Sequence, residues 1–283
     1  MLGVVTLYNS DPQTAADNIL RYARGLDFLI VWDNSSLERG LQQRMQALLT
    51  DVWSKTLWHG TGKNQCIAPA VNFAWQYAKD NGYDLLLIMD QDSQWHDFDA
   101  YRREIESHYE AGDVWVYTPY VEGMDVWEIT EKAQHRRFFI NSGTVIPVQF
   151  LNEIGGADET FALDALDHNL SIRILKRGHE VYCLTSHKLT HTLGAPTRSA
   201  VLRLYTPDYG RERTYSIVRS HIINYRAQRK WMTREERVSI LKEFVFWKFV
   251  RIILAEHDKW GRLKMYMKGL ADGLRYDISK TKS

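Results

Sequence analysis

Two carboxylates one residue apart close an apolar run. In Leu85–Trp95, LLLIMDQDSQW, five apolar residues lead into Asp90 and Asp92. Asp and Ser after a strand make a turn by bonding their own backbone, so the segment can be read without a ligand. Two carboxylates held side by side at the end of a buried strand nevertheless repel each other. A hard divalent cation, Mg²⁺ or Mn²⁺, relieves that repulsion through oxygen ligands. Mg²⁺ typically takes one or two carboxylates and leaves its other positions to water and phosphate, which suits a diphosphate-bearing substrate. A second pair, Asp164 and Asp167 in LDALDHN, stands three residues apart where a helix is expected to begin. Asp at the N-cap with an acid at the third helical position is a capping arrangement, and both charges suit the positive end of the helix.

The elements that must position these pairs follow from periodicity. GVVTLYN reads as a first strand, and PQTAADNILRYARGL as a helix with Ala16, Ile19, Leu20 and Ala23 on one face. DFLIVWDNSS is a second strand, LQQRMQALL a second helix and VWSKTLW a third strand. CIAPAVNFAWQYAKDNG is a third helix, and YDLLLIMDQD the fourth strand. Strands that are continuous apolar runs, alternating with helices, predict a parallel sheet covered on both faces. Ligands bind beyond the carboxyl ends of such strands, where YNS, DNSS and DQDS would line one edge. After Trp95 the alternation loosens. FDAYRREIESHYEAG is helical, DVWVYTPYV extended and FFINSGTVIPV a strand. DALDHNLSIRILKRG is a helix stopped by Gly178, HEVYCLT is a strand, and from about Thr214 the chain reads helical.

Of the 283 residues, 45% are apolar and 25% charged, a globular composition. Two cysteines, Cys66 and Cys183, are too few for a disulfide framework and point to a reducing, cytoplasmic compartment. MLGVVTLYNS has no basic n-region, so no signal peptide is expected, and no uncharged apolar run reaches the ~18 residues of a membrane span. The net charge of +1 conceals an asymmetry. From Arg211 onward there are 18 Lys/Arg against 8 Asp/Glu, and before it 18 against 27. The division predicts two parts, residues 1–210 and a basic helical region, 211–283. The basic part, with its aromatic residues, reads either as helices packed on the catalytic domain or on a second subunit, as a homodimer, or as a surface for anionic lipid. Lys242, Lys248 and Arg251 interrupt its apolar run and exclude a span.

Several segments, in order, resemble the inverting family 2 glycosyltransferases of GT-A fold, particularly bacterial rhamnosyl- and galactofuranosyltransferases. VVTLYN resembles their first strand and nucleotide loop, and VWDNSS the second strand. NQCIAPAVNFAW resembles an N-x-G-I-A-x-A-x-N segment, and LLLIMDQDSQ the D-x-D strand. NSGTVIP and IGGADETFALDALDHNLSIRILKRG resemble the acceptor side, and THTLG a later histidine. The resemblance runs from about Val4 to Gly194, and KGLADGLR resembles the ending of that branch.

The resemblance implies an α/β GT-A fold, Rossmann-like, with a mainly parallel sheet, helices on both faces and a C-terminal helical extension. It implies Thr6, Tyr8, Asn9 and Asp33 at the nucleotide, with Asn64 and Asn72 shaping its pocket. Asp92 would hold Mg²⁺ or Mn²⁺, Asp90 the metal or the ribose, and His191 the metal or diphosphate. Asp167 would be general base, since an acceptor hydroxyl must lose its proton as it attacks. Asp164 would then cap the helix and orient Asp167. The donor would be a dTDP- or UDP-sugar, rhamnose- or galactofuranose-like, and the acceptor a glycan or lipid-linked glycan. Polysaccharide biosynthesis at the inner face of the cell envelope is the implied setting, with no nucleic-acid partner.

Taken singly, Asp33 reads as an Asx turn, Asn64 as a helix cap and His191 as a strand-end histidine. Departures from the family pattern are Cys66 in place of glycine, FAL in place of aromatic residues, and Ser220 in place of asparagine in YSIVRSHI. Arg219 is still expected near the diphosphate. Two other classes remain open. One is a non-catalytic sugar-nucleotide or glycan-binding protein of the same fold. The other is a haloacid-dehalogenase-type phosphatase, in which a threonine stands where this chain has Gln94.

Overall fold

The computed structural model describes residues 1–125, 128–191, 197–198, 205–206 and 208–282. Gly194, where the motif resemblance ends, lies outside the described residues. In chain order the first half is β1 (Leu2–Leu7), α1 (Pro12–Ala23), β2 (Phe28–Asp33), α2 (Leu41–Leu48), α3 (Thr50–Trp53), β3 (Thr56–Gly60), α4 (Ala68–Asp80) and β4 (Leu85–Asp90). There follow β5 (Ser93–Trp95), α5 (Phe98–Glu110), β6 (Val116–Glu122), β7 (Ala133–Arg136), β8 (Thr144–Pro147), α6 (Val148–Ile154), α7 (Leu166–Lys176) and β9 (Val181–His191). A short hairpin, β10 (Thr197–Arg198) with β11 (Tyr205–Thr206), precedes the helices α8 (Arg211–Gln228), α9 (Arg234–Leu241), α10 (Lys248–Leu254) and α11 (Lys259–Arg275).

The main sheet runs β3-β2-β1-β4-β8-β6-β9-β5, with β7 beside β9. β1 to β4 pair in parallel, as their alternation with helices predicts. β8 enters antiparallel to β4, so the sheet is mixed. The apolar run before Asp90 is explained by burial on both faces. Leu85, Leu87 and Met89 join one core layer with residues of α1, α2 and α5. Leu86 and Ile88 join the opposite layer with residues of α4, α6 and α7. Successive side chains of a strand point to opposite faces, so both sets must be apolar.

Two local expectations differ. The expected strand VWSKTLW begins only at Thr56, because Val52 continues the helical path with its N–H bonded to Leu49 O at 3.0 Å. FFINSGTVIPV is strand only over its last part. Gly143, at φ +81°, makes a turn in which Thr144 N–H bonds Asn141 O at 3.2 Å. A Cβ on Gly143 would lie 2.7 Å from the Pro119 ring, so the turn closes only with glycine.

The C-terminal helices share the core. Ile223 of α8 sits in the layer containing Val71 and Leu166, and Asn169 Nδ2 donates to Asn224 Oδ1 at 3.1 Å inside it. α11 lies close along α8. A Cβ on Gly269 would approach Tyr215 O to 2.7 Å, and one on Gly273 would reach Ile222 at 3.0 Å. In an exposed helix, Gly→Ala gains about 1 kcal/mol. Here the sign reverses: Gly269→Ala is expected to cost about 1–3 kcal/mol by overpacking. Urea denaturation reads it, and a stabilised variant would rule out so close a crossing.

Candidate active site

Pairing of the short β5 with the end of β9 sets Ser93 opposite His191. A polar chain then crosses the sheet edge. Asp90 N–H donates to Ser142 Oγ at 3.1 Å, Ser142 Oγ to Ser93 Oγ at 2.6 Å, and Ser93 Oγ meets His191 Nδ1 at 2.7 Å. His191 Nδ1 lies 3.5 Å from Asp92 Oδ1. Asp90, Asp92 and His191 each bring one ligand atom within 4.8 Å of the others, a donor set that fits a divalent cation.

Electrostatics agree with the fit. Burial pushes the Asp90 carboxyl up to about 6, and Asp92 and Asp167 push it the same way. His191 and Arg213 oppose the rise. Burial also raises Asp164, against Arg213 and a hydrogen bond from Ser216. Four aspartates thus share one pocket of field, and added positive charge would lower the energy of all of them.

The middle of the D-Q-D run holds the first loop. Gln91 Oε1 accepts from Tyr8 N–H at 2.7 Å and from the Ser10 hydroxyl, while Asn18 Nδ2 donates to Gln91 O at 2.9 Å. Thr6 lies beside Asp90 in the β1–β4 register, and Tyr8 is exposed at the rim. Asn9, at φ +51°, donates its N–H to Ser35 Oγ at 2.9 Å. Asp33 is buried at the end of β2, with Oδ1 accepting Ser35 N–H at 2.8 Å, so the Asx turn is present. Its neighbour Asn34, which sequence reasoning passed over, clamps the next segment. Asn34 Nδ2 donates to Cys66 O and Oδ1 accepts Gln65 N–H, both at 2.9 Å. Asn64 Oδ1 accepts Cys66 N–H at 2.9 Å, and α4 starts beyond it, so Asn64 turns the loop rather than capping the helix. Cys66 takes φ +63°, a left-handed conformation that glycine would adopt without strain.

Three residues have partners that the sequence did not show. Asn72 is the first. Its Nδ2 donates to Ala157 O and Glu159 Oε1, and its Oδ1 accepts Ala157 N–H at 2.7 Å, so the amide is consumed in fastening α4 to the loop before α7. Asp164 does not cap α7. Ala165, at φ +63°, separates it from the helix, and the Asp164 carboxylate turns to α8, 3.5 Å from Arg213 Nε. Asp167 is consequently in the first turn of α7, its Oδ1 accepting His168 N–H at 2.8 Å. The Arg219 guanidinium lies 5.1 Å over the Tyr276 ring, with Nη1 3.5 Å from Thr160 O. Arg213, two turns earlier, is the α8 guanidinium whose charge reaches Asp90, Asp164 and Cys66. It stacks 4.1 Å over the Tyr209 ring. Nothing in RERTY marks that role before α8 is docked.

Asp167 also lines a cavity of about 400 Å³, walled by Thr118, Pro119, Arg136, Phe138 and His168 among others. Asp167 thus lines this cavity while its charge acts on Asp90 of the metal-type cluster.

No protein-family model matches this sequence, and no curated protein matches it. Solved structures do match its fold. A fragment of S. aureus TarS in complex with UDP-GlcNAc is similar at 14% identity and a TM-score of 0.58, over 97% of this chain and 80% of that one. The mannosyltransferase PcManGT from Pyrobaculum calidifontis, in complex with GDP-Man and Mn²⁺, is similar at 12% identity and a TM-score of 0.56, over 99% and 76%. The chain has the GT-A glycosyltransferase fold. GalNAc-T7 with UDP, GalNAc and Mn²⁺ is similar at 12% identity and a TM-score of 0.56, over 90% of this chain and 57% of that one. At such identities the likeness establishes the fold, and the chemistry must be argued from the residues.

The raised Asp90 gives a stability signature. Its carboxyl ionises near 3.8 in the unfolded chain and near 6 in the folded one. The folded state therefore binds the extra proton between these values, and stability falls as pH rises through them. Above pH 6 the ionised group costs roughly 2–3 kcal/mol, at ~1.4 kcal/mol per pH unit. Asp90→Asn is expected to raise the melting temperature of the metal-free protein above pH 6, with the gain vanishing towards pH 3.8. A gain independent of pH would remove burial of the charge as its cause.

Proposed function

We propose that the chain is a metal-dependent inverting glycosyltransferase, taking a sugar from a nucleoside-diphosphate donor to an acceptor hydroxyl. The observation that carries this reading is the cluster of Asp90, Asp92 and His191 at the carboxyl end of a central strand, with Asp167 in electrostatic reach of Asp90 and opening into its own cavity. The GT-A fold supports it, as do the UDP-GlcNAc of TarS and the GDP-Man and Mn²⁺ of PcManGT.

Asp33, Asn9, Asn64 and the Gln91-tethered loop form the nucleotide side. Asp90, Asp92 and His191 would hold Mg²⁺ or Mn²⁺, which would supply positive charge to stabilise the leaving diphosphate. Arg213 adds a second positive charge there and is held in place by Asp164 and the Tyr209 ring. The acceptor occupies the cavity beside Phe138 and His168. Asp167 takes the proton of the acceptor hydroxyl as that oxygen attacks the anomeric carbon and the bond to the diphosphate breaks on the opposite face. Asp167 fits the role better than Asp164, which is buried with its side chain only 8% exposed. A UDP- or dTDP-linked rhamnose- or galactofuranose-like donor, and a glycan or lipid-linked glycan acceptor, are the substrates implied by the motifs. The GT-A fold leaves the phosphatase reading without a basis. A binding protein of this fold would take up the nucleotide without turnover.

Asp167→Asn is expected to keep the melting-temperature rise given by nucleotide-sugar with Mn²⁺ while losing about 10²–10⁴-fold in transfer and donor hydrolysis. Full activity in this variant would remove Asp167 as base. For Asp92→Ala, the Mn²⁺-dependent part of nucleotide binding, followed by calorimetry, is expected to disappear. Unchanged Mn²⁺-supported affinity would withdraw the metal assignment.

A further inference from the structure

The basic C-terminal region was open to two readings, packing or lipid, and the structure divides it by face. The inward stripe of α11 is Arg262, Tyr266, Gly269 and Gly273, spaced as one side of a helix. Leu263 and Leu270, at one flank of that stripe, pack, as Leu241 and Val245 do, against the cluster of Val218, Ile222, Ile252 and Tyr266. The outward side is exposed, with Lys268 Nζ 5.1 Å over the Tyr215 ring of α8. Trp260, Met267 and Leu274 recur every seven residues and are all exposed, Trp260 to 84%. Lys264, Lys268 and Arg275 form a parallel exposed line beside them.

The neighbouring helix adds to the apolar line. α10 lies against α11, with the Phe249 and Tyr266 rings 5.6 Å apart and Tyr266 OH donating to Val245 O at 3.1 Å. Its inward residues are Lys248 and Ile252. Its outward residues are Phe249, Ile253 and Leu254, continued backward by Phe246 at 58% exposure. Lys248 is held inside by Glu256 at 2.9 Å, together with Arg262, so these buried charges are paired with one another and do not belong to this surface. Among the described residues no helix is long and apolar enough to cross a membrane.

We infer that the outer face of α10 and α11 docks on an anionic phospholipid surface. Large apolar and aromatic side chains on adjacent helices, edged by lysine and arginine, match a bilayer interface in both polarity and charge. Trp260 and Phe246 enter the acyl boundary, and Lys264, Lys268 and Arg275 meet the headgroups. The excess of 18 Lys/Arg over 8 Asp/Glu from Arg211 onward favours anionic lipid, while the preceding 210 residues, with 27 Asp/Glu against 18 Lys/Arg, are repelled by it. The surface thereby also sets the orientation of the chain. This inference does not depend on the proposed transfer reaction.

The test is flotation of the full chain with phosphatidylcholine vesicles, with and without phosphatidylglycerol, at low and high salt. Binding is expected only with phosphatidylglycerol and is expected to weaken with salt. Lys264→Gln with Lys268→Gln is expected to weaken partitioning about 25-fold, at roughly five-fold for each basic residue. Trp260→Glu with Met267→Glu is expected to abolish it. A cooperative thermal unfolding transition like that of the parent confirms that each variant is folded. No binding of the parent chain to anionic vesicles at low salt overturns the inference, as does unaltered binding of both double variants. Sedimentation velocity supplies a third outcome: a stable dimer that Trp260→Glu dissociates would assign the face to a second copy instead. Absence of any nucleotide shift in the parent chain would count against the proposed function and leave the vesicle result standing.

Discussion

The antiparallel contact between β5 and the end of β9 is the constraint on which the site depends. β5 follows β4 directly in the chain yet pairs at the far edge of the sheet order. The chain can do this only because the sheet curls, so that the end of β9 returns to the end of β4. His191 is thereby delivered to Asp92 across about a hundred residues of sequence, and the hydroxyls of Ser93 and Ser142 fill the seam. Without that pairing, Asp90 and Asp92 would be a turn at the end of a strand.

The site stores unfavourable energy in two forms. One is charge: Asp90 is buried among like charges and resists ionising. The other is backbone conformation. Asn9, Cys66 and Ala165 all take positive φ, and they stand in the three loops that border the aspartates. Such residues persist where surrounding contacts over-determine them, and they concentrate at working sites. Here Ser35, Asn34 and Asn64 supply those contacts for the first two. Positive φ recurs at Asp208 and Asp258, next to the buried Lys248–Glu256–Arg262 charges of the C-terminal helices, so the site is not alone in carrying such strain.

Much of the fold was legible because it is written in local periodicity. The apolar runs of β1, β2 and β4 and the spacing on α1, α4 and α7 depend on residues close in sequence. The antiparallel entry of β8 was not, since it follows from a long-range pairing with β4 rather than from TVIP itself. In the site, the acidic residues could be nominated from their order and neighbours. Their partners could not. Asn72 is an amide with several bonding options, and only the docked loop at Ala157 decides among them. Asp164 reads as a cap because capping is the local option, but a guanidinium on α8, some fifty residues on, offers a stronger partner in the folded chain. Arg213 and Arg219 are equivalent on paper and differ only in which side of α8 faces the aspartates.

Gln91 makes the loop at Tyr8 and Ser10 and the carboxyl end of β4 a single mechanical unit. It stands between two candidate metal ligands and is bonded to the first loop and, through its backbone carbonyl, to Asn18 of α1. Any coupling between the loop at Tyr8 and the two aspartates would run through this one glutamine side chain, and it would be reciprocal, each side changing affinity on the other by the same factor.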